Sequence, residues 1–272
     1  MADESEPDES QAGKPAQADK PPQADQPPRN DEQKVLRDTD DEARRLARTL
    51  VRGARYMALA VLDPETGFPS VSRALTGTDV DGVPVILVSG LSGHTKGLVA
   101  DPRCSLLAGE PGKGDPLAHP RITVQCLAES VARDTPEHAR IRRRFLDRHP
   151  KAALYADFGD FRFVRITPQN ASLNGGFGRA YLLSGDDLVI REPGITPDWL
   201  DLSENLVNMT DQAEKFAAHL HTHNGRNWRF AGVDRAGIDL IAGDFLLRHE
   251  FEALATSPQA VLDYVFGKAK IR

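Results

Sequence analysis

The chain has 272 residues, 40% of them hydrophobic and 27% charged, enough for one large domain or two modest ones around a real core. Two isolated cysteines, Cys104 and Cys126, lack CxxC or CxH spacing. That argues against a zinc site or a secreted disulfide framework and fits a reducing cytoplasm. The formal charge of −6 leaves no basic excess for binding nucleic acid.

The first 34 residues hold nine acidic and four basic side chains and six prolines, with no large aliphatic or aromatic residue beyond Met1. Such a segment cannot bury enough surface to offset its conformational entropy, so residues 1–34 read as a disordered acidic tail. It has neither a basic n-region nor an apolar h-region, so a secretory signal is not expected and a cytoplasmic location is. No apolar run approaches a membrane span.

Helical order is predicted from Thr39, where Thr39 to Glu42 has capping-box spacing and Ala43, Leu46, Ala47, Leu50, Val51 and Ala54 recur at helical intervals. The period then shortens. "YMALAVLD" (56–63), "PSVSRALTG" (69–77), "VPVILVSG" (83–90), "CSLLAGE" (104–110) and "RITVQCLAESVA" (121–132) read as strands, with "PETG" and "DVDG" as turns. One short helix starts near Thr95. Consecutive hairpins with few crossover helices point to an antiparallel barrel.

A helix follows over 134–150, with Thr135 as N-cap and Pro136 at its first position. Its five arginines read as a solvated face balanced by Asp134, Glu137 and Asp147. "DFRFVRITP" (160–168) alternates as a strand, and Gly, Pro and Asp accumulate over 184–199 as a linker. Beyond it come an amphipathic helix over 200–223, a hairpin over 228–242 turning at Asp234–Gly237, and a helix from Pro258. The expected organisation is a tail (1–34), a split barrel (35–190) and a small α+β domain (191–272), which packs on the barrel.

The stretch "GLSGHTKGLVADPRCSLL" (90–107) has the look of a phosphate loop, yet its order is Thr95-Lys96-Gly97, and no Gly-Lys-Ser/Thr occurs in the chain. Another scaffold accommodates it. Together with "PSVSRALTG", "RITVQCLAESV" and "DFRFVRITPQNASLNGGFGRAYLL", the stretch resembles the FMN-binding split-barrel superfamily typified by pyridoxamine-5'-phosphate oxidase. Within it, the haem-utilisation (HugZ-type) branch with a small C-terminal domain is the nearest match, over roughly 40–270.

The resemblance implies a mainly antiparallel β split barrel with flanking helices, followed by a small α+β domain. It further implies a homodimer with FMN at the subunit interface and a small-molecule substrate. By motif position, Ser72, Arg73, Ser89, Ser92, His94, Thr95 and Lys96 fall on the phosphate side, and Thr123 and Gln125 face the isoalloxazine ring. The chemistry agrees with this placement. The first amides of a helix suit an anion, Ser92 and Thr95 offer hydroxyls, Lys96 a mobile charge and Arg73 a planar fork. Gly93 stands where the oxidase carries more basic character, which disfavours pyridoxamine-phosphate oxidation.

The expected function is that of a flavin-linked oxidoreductase. A haem-binding or haem-degrading protein and a cofactor-free scaffold are the alternatives. For haem, a neutral imidazole is the expected ligand, with His249 in "LLRHEFE" as the candidate and His94 in the motif loop. His219, His221 and His223 read instead as a solvated helix end, because residues two apart on a helix face different ways. The branch's His-Met-Asn-x-Asp-His cluster is missing, the chain reading "VNMTDQAEKF" (207–216). No nucleophile–base pair is legible, so hydrolase chemistry has little support and no catalytic residue is assigned.

Overall fold

The computed structural model describes residues 36–176, 178–191, 196–220 and 227–268. The acidic tail, Phe177 of the Gly-Gly-Phe-Gly motif, His221 and His223 lie outside the described residues. Helix α1 (Asp41–Gly53) is capped by Asp40, whose carboxylate accepts from the Ala43 amide at 2.8 Å. The capping box expected at Thr39 does not form; the Thr39 hydroxyl instead donates to the Leu182 carbonyl.

Strands β2 (Tyr56–Leu62), β3 (Pro69–Thr78), β4 (Pro84–Ser89), β5 (Arg103–Ala108), β6 (Arg121–Ser130) and β7 (Phe161–Asn174) form an antiparallel barrel. Around it the order is β4, β3, β2, β5, β6 and β7, and β7 closes on β4. Strand β8 (Ala180–Ser184) extends β7, and a short parallel pairing attaches β1 (Leu36–Arg37) to β8. Period-two alternation turns Met57, Leu59 and Val61 of β2 and Ile122, Val124 and Cys126 of β6 into the interior. Ala43, Ala47 and Val51 of α1 join this core. Burying each large aliphatic side chain contributes about 1.5–3 kcal/mol.

Helix α2 (Gly93–Ala100) follows β4, and α3 (Pro136–Arg148) covers the outside of β4 and β7 through Ile141 and Phe145. The short α4 (Gly185–Leu188) follows β8 within the expected linker. The helix expected over 200–223 is two helices, α5 (Pro197–Val207) and α6 (Thr210–His219). Met209 breaks the run, with a backbone (φ −90°, ψ 63°) that is not helical. The predicted hairpin is present as β9 (Arg229–Asp234) and β10 (Gly237–Ala242), and a third strand, β11 (Phe245–Glu250), completes an antiparallel sheet. Helix α7 (Pro258–Val265) packs on this sheet.

The small sheet and its helices have their own apolar core around Trp199, Phe216, Phe230 and Val261, and the described residues pack as one compact unit. A buried ionic seam joins the sheet to the barrel's helices. Asp234 pairs with Arg52 of α1 at 2.7 Å and with Arg248 at 2.8 Å, while Asp239 pairs with both Arg148 and Arg248 at 3.3 Å. Arg144 donates to the Ser203 hydroxyl and the Val233 carbonyl, and Arg140 grips buried Asp79 with two hydrogen bonds. Of the α3 arginines, Arg142 and Arg143 lie on the solvated face expected from sequence, paired with exposed Asp157 and Glu204, whereas Arg140, Arg144 and Arg148 do not. Arg144 and Arg148 are buried because carboxylates and carbonyls from distant strands satisfy their charge. Among the described residues no helix is long and apolar enough to cross a membrane.

Candidate functional site

Strand β4 ends at Ser89, and the turn into α2 is pinned to the start of β7. The Ser89 hydroxyl donates to the Asp160 carboxylate at 2.6 Å, and the Gly90 amide donates to the Asp160 carbonyl at 2.7 Å. Helix α2 then lies tightly on β2. A Cβ on Gly97 would sit 2.8 Å from the Leu62 carbonyl oxygen and from Val61 Cγ2, so only glycine permits this approach.

The turn gathers hydroxyls around an imidazole. Thr95 is buried, and its hydroxyl donates to the Ser89 carbonyl at 2.6 Å. Ser92 Oγ lies 2.8 Å from the same carbonyl, 2.8 Å from Thr95 Oγ1 and 2.9 Å from His94 Nε2. His94 Nδ1 lies 3.0 Å from Ser72 Oγ on β3. Burial holds the His94 imidazole below its ordinary pKa, so it is neutral at pH 7. Ser89, Ser92, His94, Arg73, Tyr155 and Phe161 line a cavity of about 320 Å³.

Arg73 also borders a larger cleft of about 880 Å³ between the barrel and β11. Ala58, Val71, Leu107 and Leu247 supply apolar walls, and Arg55, Tyr56, Glu110 and Asp244 supply polar groups. Arg55 is held by the Asp244 carboxylate and carbonyl. The Arg73 guanidinium lies over the Tyr56 ring, 4.7 Å from its centroid, with no carboxylate in ion-pair range among the described residues. The Glu110 carboxylate near the Tyr56 phenol raises the phenol's pKa.

Of the residues singled out from sequence, Ser72, Arg73, Ser89, Ser92, His94 and Thr95 are brought together. Lys96 is exposed and does not line this cavity; its charge bears on Asp63. Thr123 and Gln125 are exposed on the outer face of β6, and Gln125 borders a separate cavity of about 610 Å³ beside Ser105 and Asn170. His249 stands on β11, stacked on Tyr264 at 5.6 Å, with Nε2 2.7 Å from the Tyr264 hydroxyl. It lines a fourth cavity of about 440 Å³ with Arg45, Arg179 and Arg248, and iron ligation through Nε2 would have to break the tyrosine bond. The sequence reading missed Tyr56, Glu110 and Asp160, none of which belongs to a recognisable motif. Among the described residues no three His, Cys, Asp or Glu side chains form a metal cluster. Cys104 and Cys126 are free and opposite one another on β5 and β6, and burial pushes the Cys104 thiol up to about 11.

The closed six-strand barrel, the strand-to-helix hydroxyl turn and the appended sheet define a split-barrel protein. Residues 38–188 match the family described as CREG, β-barrel, and the chain belongs to that family. The chain is 33% identical over 162 residues to the chloroplastic heme oxygenase HOZ of Arabidopsis thaliana, a match covering 57% of this chain. The chain spans about half (49%) of that relative's length. It is 29% identical over 138 residues to the heme oxygenase HutZ of Vibrio cholerae, covering 50% of this chain and 77% of HutZ. A crystal structure of a protein of unknown function from Agrobacterium tumefaciens superposes with a TM-score of 0.71 at 28% identity, over 83% of this chain and 94% of that one. A heme binding protein from Mycobacterium smegmatis superposes at 0.51 with 25% identity, over 83% and 95%.

Proposed function

We propose that the protein binds haem and acts in its oxidative breakdown. The carrying observation is Arg73, unpaired by any described carboxylate and standing where the 880 Å³ cleft meets the smaller hydroxyl-lined cavity. A planar apolar ring with carboxylate arms fits such a cleft, whose volume lies within the range of small-molecule sites. Arg73 would hold a propionate by a charge-assisted bond, with Arg55 beside it, and Val71, Leu107 and Leu247 would exclude water from the ring. Bound haem supplies the iron at which dioxygen is reduced with electrons from an external donor. Two relatives bearing the name heme oxygenase, one at 33% identity, support this reading over a general flavin function.

Titration of the purified protein with haemin tests it. A saturable shift in the haem absorption band is expected, weakened by Arg73→Ala. Replacing Tyr56, His94 and His249 in turn identifies the iron ligand by which change alters the band. Absence of the band would sink the proposal.

A second reading rests on the hydroxyls of Ser89, Ser92 and Thr95 at the amino end of α2, beside Arg73. That arrangement suits the phosphate of FMN, and flavin fluorescence quenched on titration, with no response to haemin, would favour it. For either ligand we infer a homodimer, supported by the exposed apolar residues Val71, Leu107 and Leu127 on the barrel's outer face.

A further inference from the structure

Helix α1 carries four arginines, and three of them are paired with acids. Arg44 pairs with Asp41 and Asp187, Arg48 with Glu250, and Arg52 with Asp234. Arg45 has no carboxylate in ion-pair range among the described residues, although it is half-buried. The helical repeat separates it from the others. Arg48 and Arg52 turn into the ionic seam, whereas Glu42, Arg45, Leu46 and Thr49 follow the adjacent strip of the same helix.

That strip is one wall of the 440 Å³ cleft. Gly175 and Arg179, between β7 and β8, stand opposite, and Arg248 and Glu250 of β11 close a third side. The first two walls meet closely. A Cβ on Gly175 would lie 3.6 Å from Leu46 Cδ2, and Arg179 reaches Glu42 at 2.7 Å.

The charges in the cleft do not cancel. Glu42 is taken by Arg179, and Glu250 by Arg48 and Arg248. Arg248 spends its nitrogens on Asp234, Asp239 and Glu250. His249 follows Arg248 along the strand, so its ring lies on the other face of β11 against Tyr264, where burial lowers its pKa and leaves it neutral at pH 7. The Thr49 hydroxyl is turned back to the Arg45 carbonyl. The positive charge left over is that of Arg45.

We propose that this cleft binds a small molecule through an oxyanion group, a phosphate or a carboxylate, gripped by Arg45 with Arg179 as the second cation. The planar guanidinium fork of Arg45 matches paired oxygens of either group. Arg179 gives one nitrogen to Glu42 and has further N–H donors for the ligand. The volume lies within the range of small-molecule sites. The cleft has in common with the 880 Å³ cleft only Thr49 and Arg248, so the proposal does not depend on what the larger cleft holds.

Calorimetric titration of the full chain tests it, with inorganic phosphate as one probe and succinate as the other, which separates the two oxyanion groups. The titrations are run in an Arg73→Ala background, which removes the unpaired cation of the larger cleft. Saturable binding of at least one probe is expected there. Adding Arg45→Gln is expected to weaken it by about 10- to 150-fold, the usual loss for a charged hydrogen bond. Adding Arg45→Lys instead keeps the charge without the fork and is expected to weaken it less. Thermal melts matching the parent show that the variants fold. No saturable binding of either probe in the Arg73→Ala protein, or binding that Arg45→Gln leaves unchanged, would overturn the proposal.

Discussion

In the proposed haem complex Arg73 is the residue on which binding would turn, because its charge has no carboxylate partner among the described residues. Removing a charged hydrogen-bonding partner of a bound anion typically costs about 1.5–3 kcal/mol. Arg73→Ala is therefore expected to raise the haemin dissociation constant by about 10- to 150-fold while leaving the melting temperature near the parent's. An unchanged constant would place the anion elsewhere. His149 behaves differently, since it is buried and its pKa is pushed down to about 4, chiefly by loss of hydration. An unfolded imidazole titrates at about 6.5, so between these values the unfolded chain binds the extra proton. The stabilisation is complete above about 6.5 and is lost as pH falls towards 4, amounting to about 3 kcal/mol. His149→Gln, which keeps a donor for the Thr76 carbonyl, is expected to flatten that limb in denaturant titrations run from pH 7 to 4. At this scale the sequence was partly legible. Short-range motif spacing flagged Ser92, His94 and Thr95, but the Ser72–His94 contact spans two elements and left no local signal.

At the scale of elements, period-two alternation made the barrel strands readable because one face of each is buried in a single core. Helix α3 shows where such reading stops. Its arginines look like solvated charge until β9 and β10 bring Asp234 and Asp239 within range of α1, α3 and β11. A sequence pattern carries no record of a partner 90 residues away. Strand β11 escaped for a related reason: "FLLRHE" mixes apolar and charged residues, and its Arg248 is buried only because Asp234, Asp239 and Glu250 surround it. Neighbouring arginines also hold the Asp234 carboxyl well below the usual carboxylate range, against the opposing cost of its burial. Asp234→Asn would leave Arg52 and Arg248 without that charge, and breaking a buried pair costs about 3–5 kcal/mol. Urea unfolding at pH 7 is expected to show a loss of that size. A loss within the error of the measurement would mean that Asp239 and Glu250 alone satisfy the seam.

For the whole molecule, the sequence pointed to a split barrel followed by a small α+β region, and the structure has both parts, tied together by the ionic seam. The homodimer proposed above would cover the outer barrel face. Val71, Leu107 and Leu127 come from β3, β5 and β6 and are 67%, 45% and 42% exposed. Their strands run side by side through β2, so the side chains share one surface. Isolated exposed apolar residues need no explanation, but an apolar surface of this kind beside two cavities is a typical protein-contact site. A stable pair of subunits buries roughly 1,200–2,000 Å² in total, and a charge placed at the centre of such a contact would be desolvated without a partner. Val71→Glu combined with Leu127→Glu leaves the inward-facing core residues of the same strands untouched. The parent is expected to sediment as a dimer and the double variant as a folded monomer, with an unchanged circular dichroism spectrum. A parent that sediments as a monomer, or a variant that remains a dimer, would remove this face from consideration as the subunit contact.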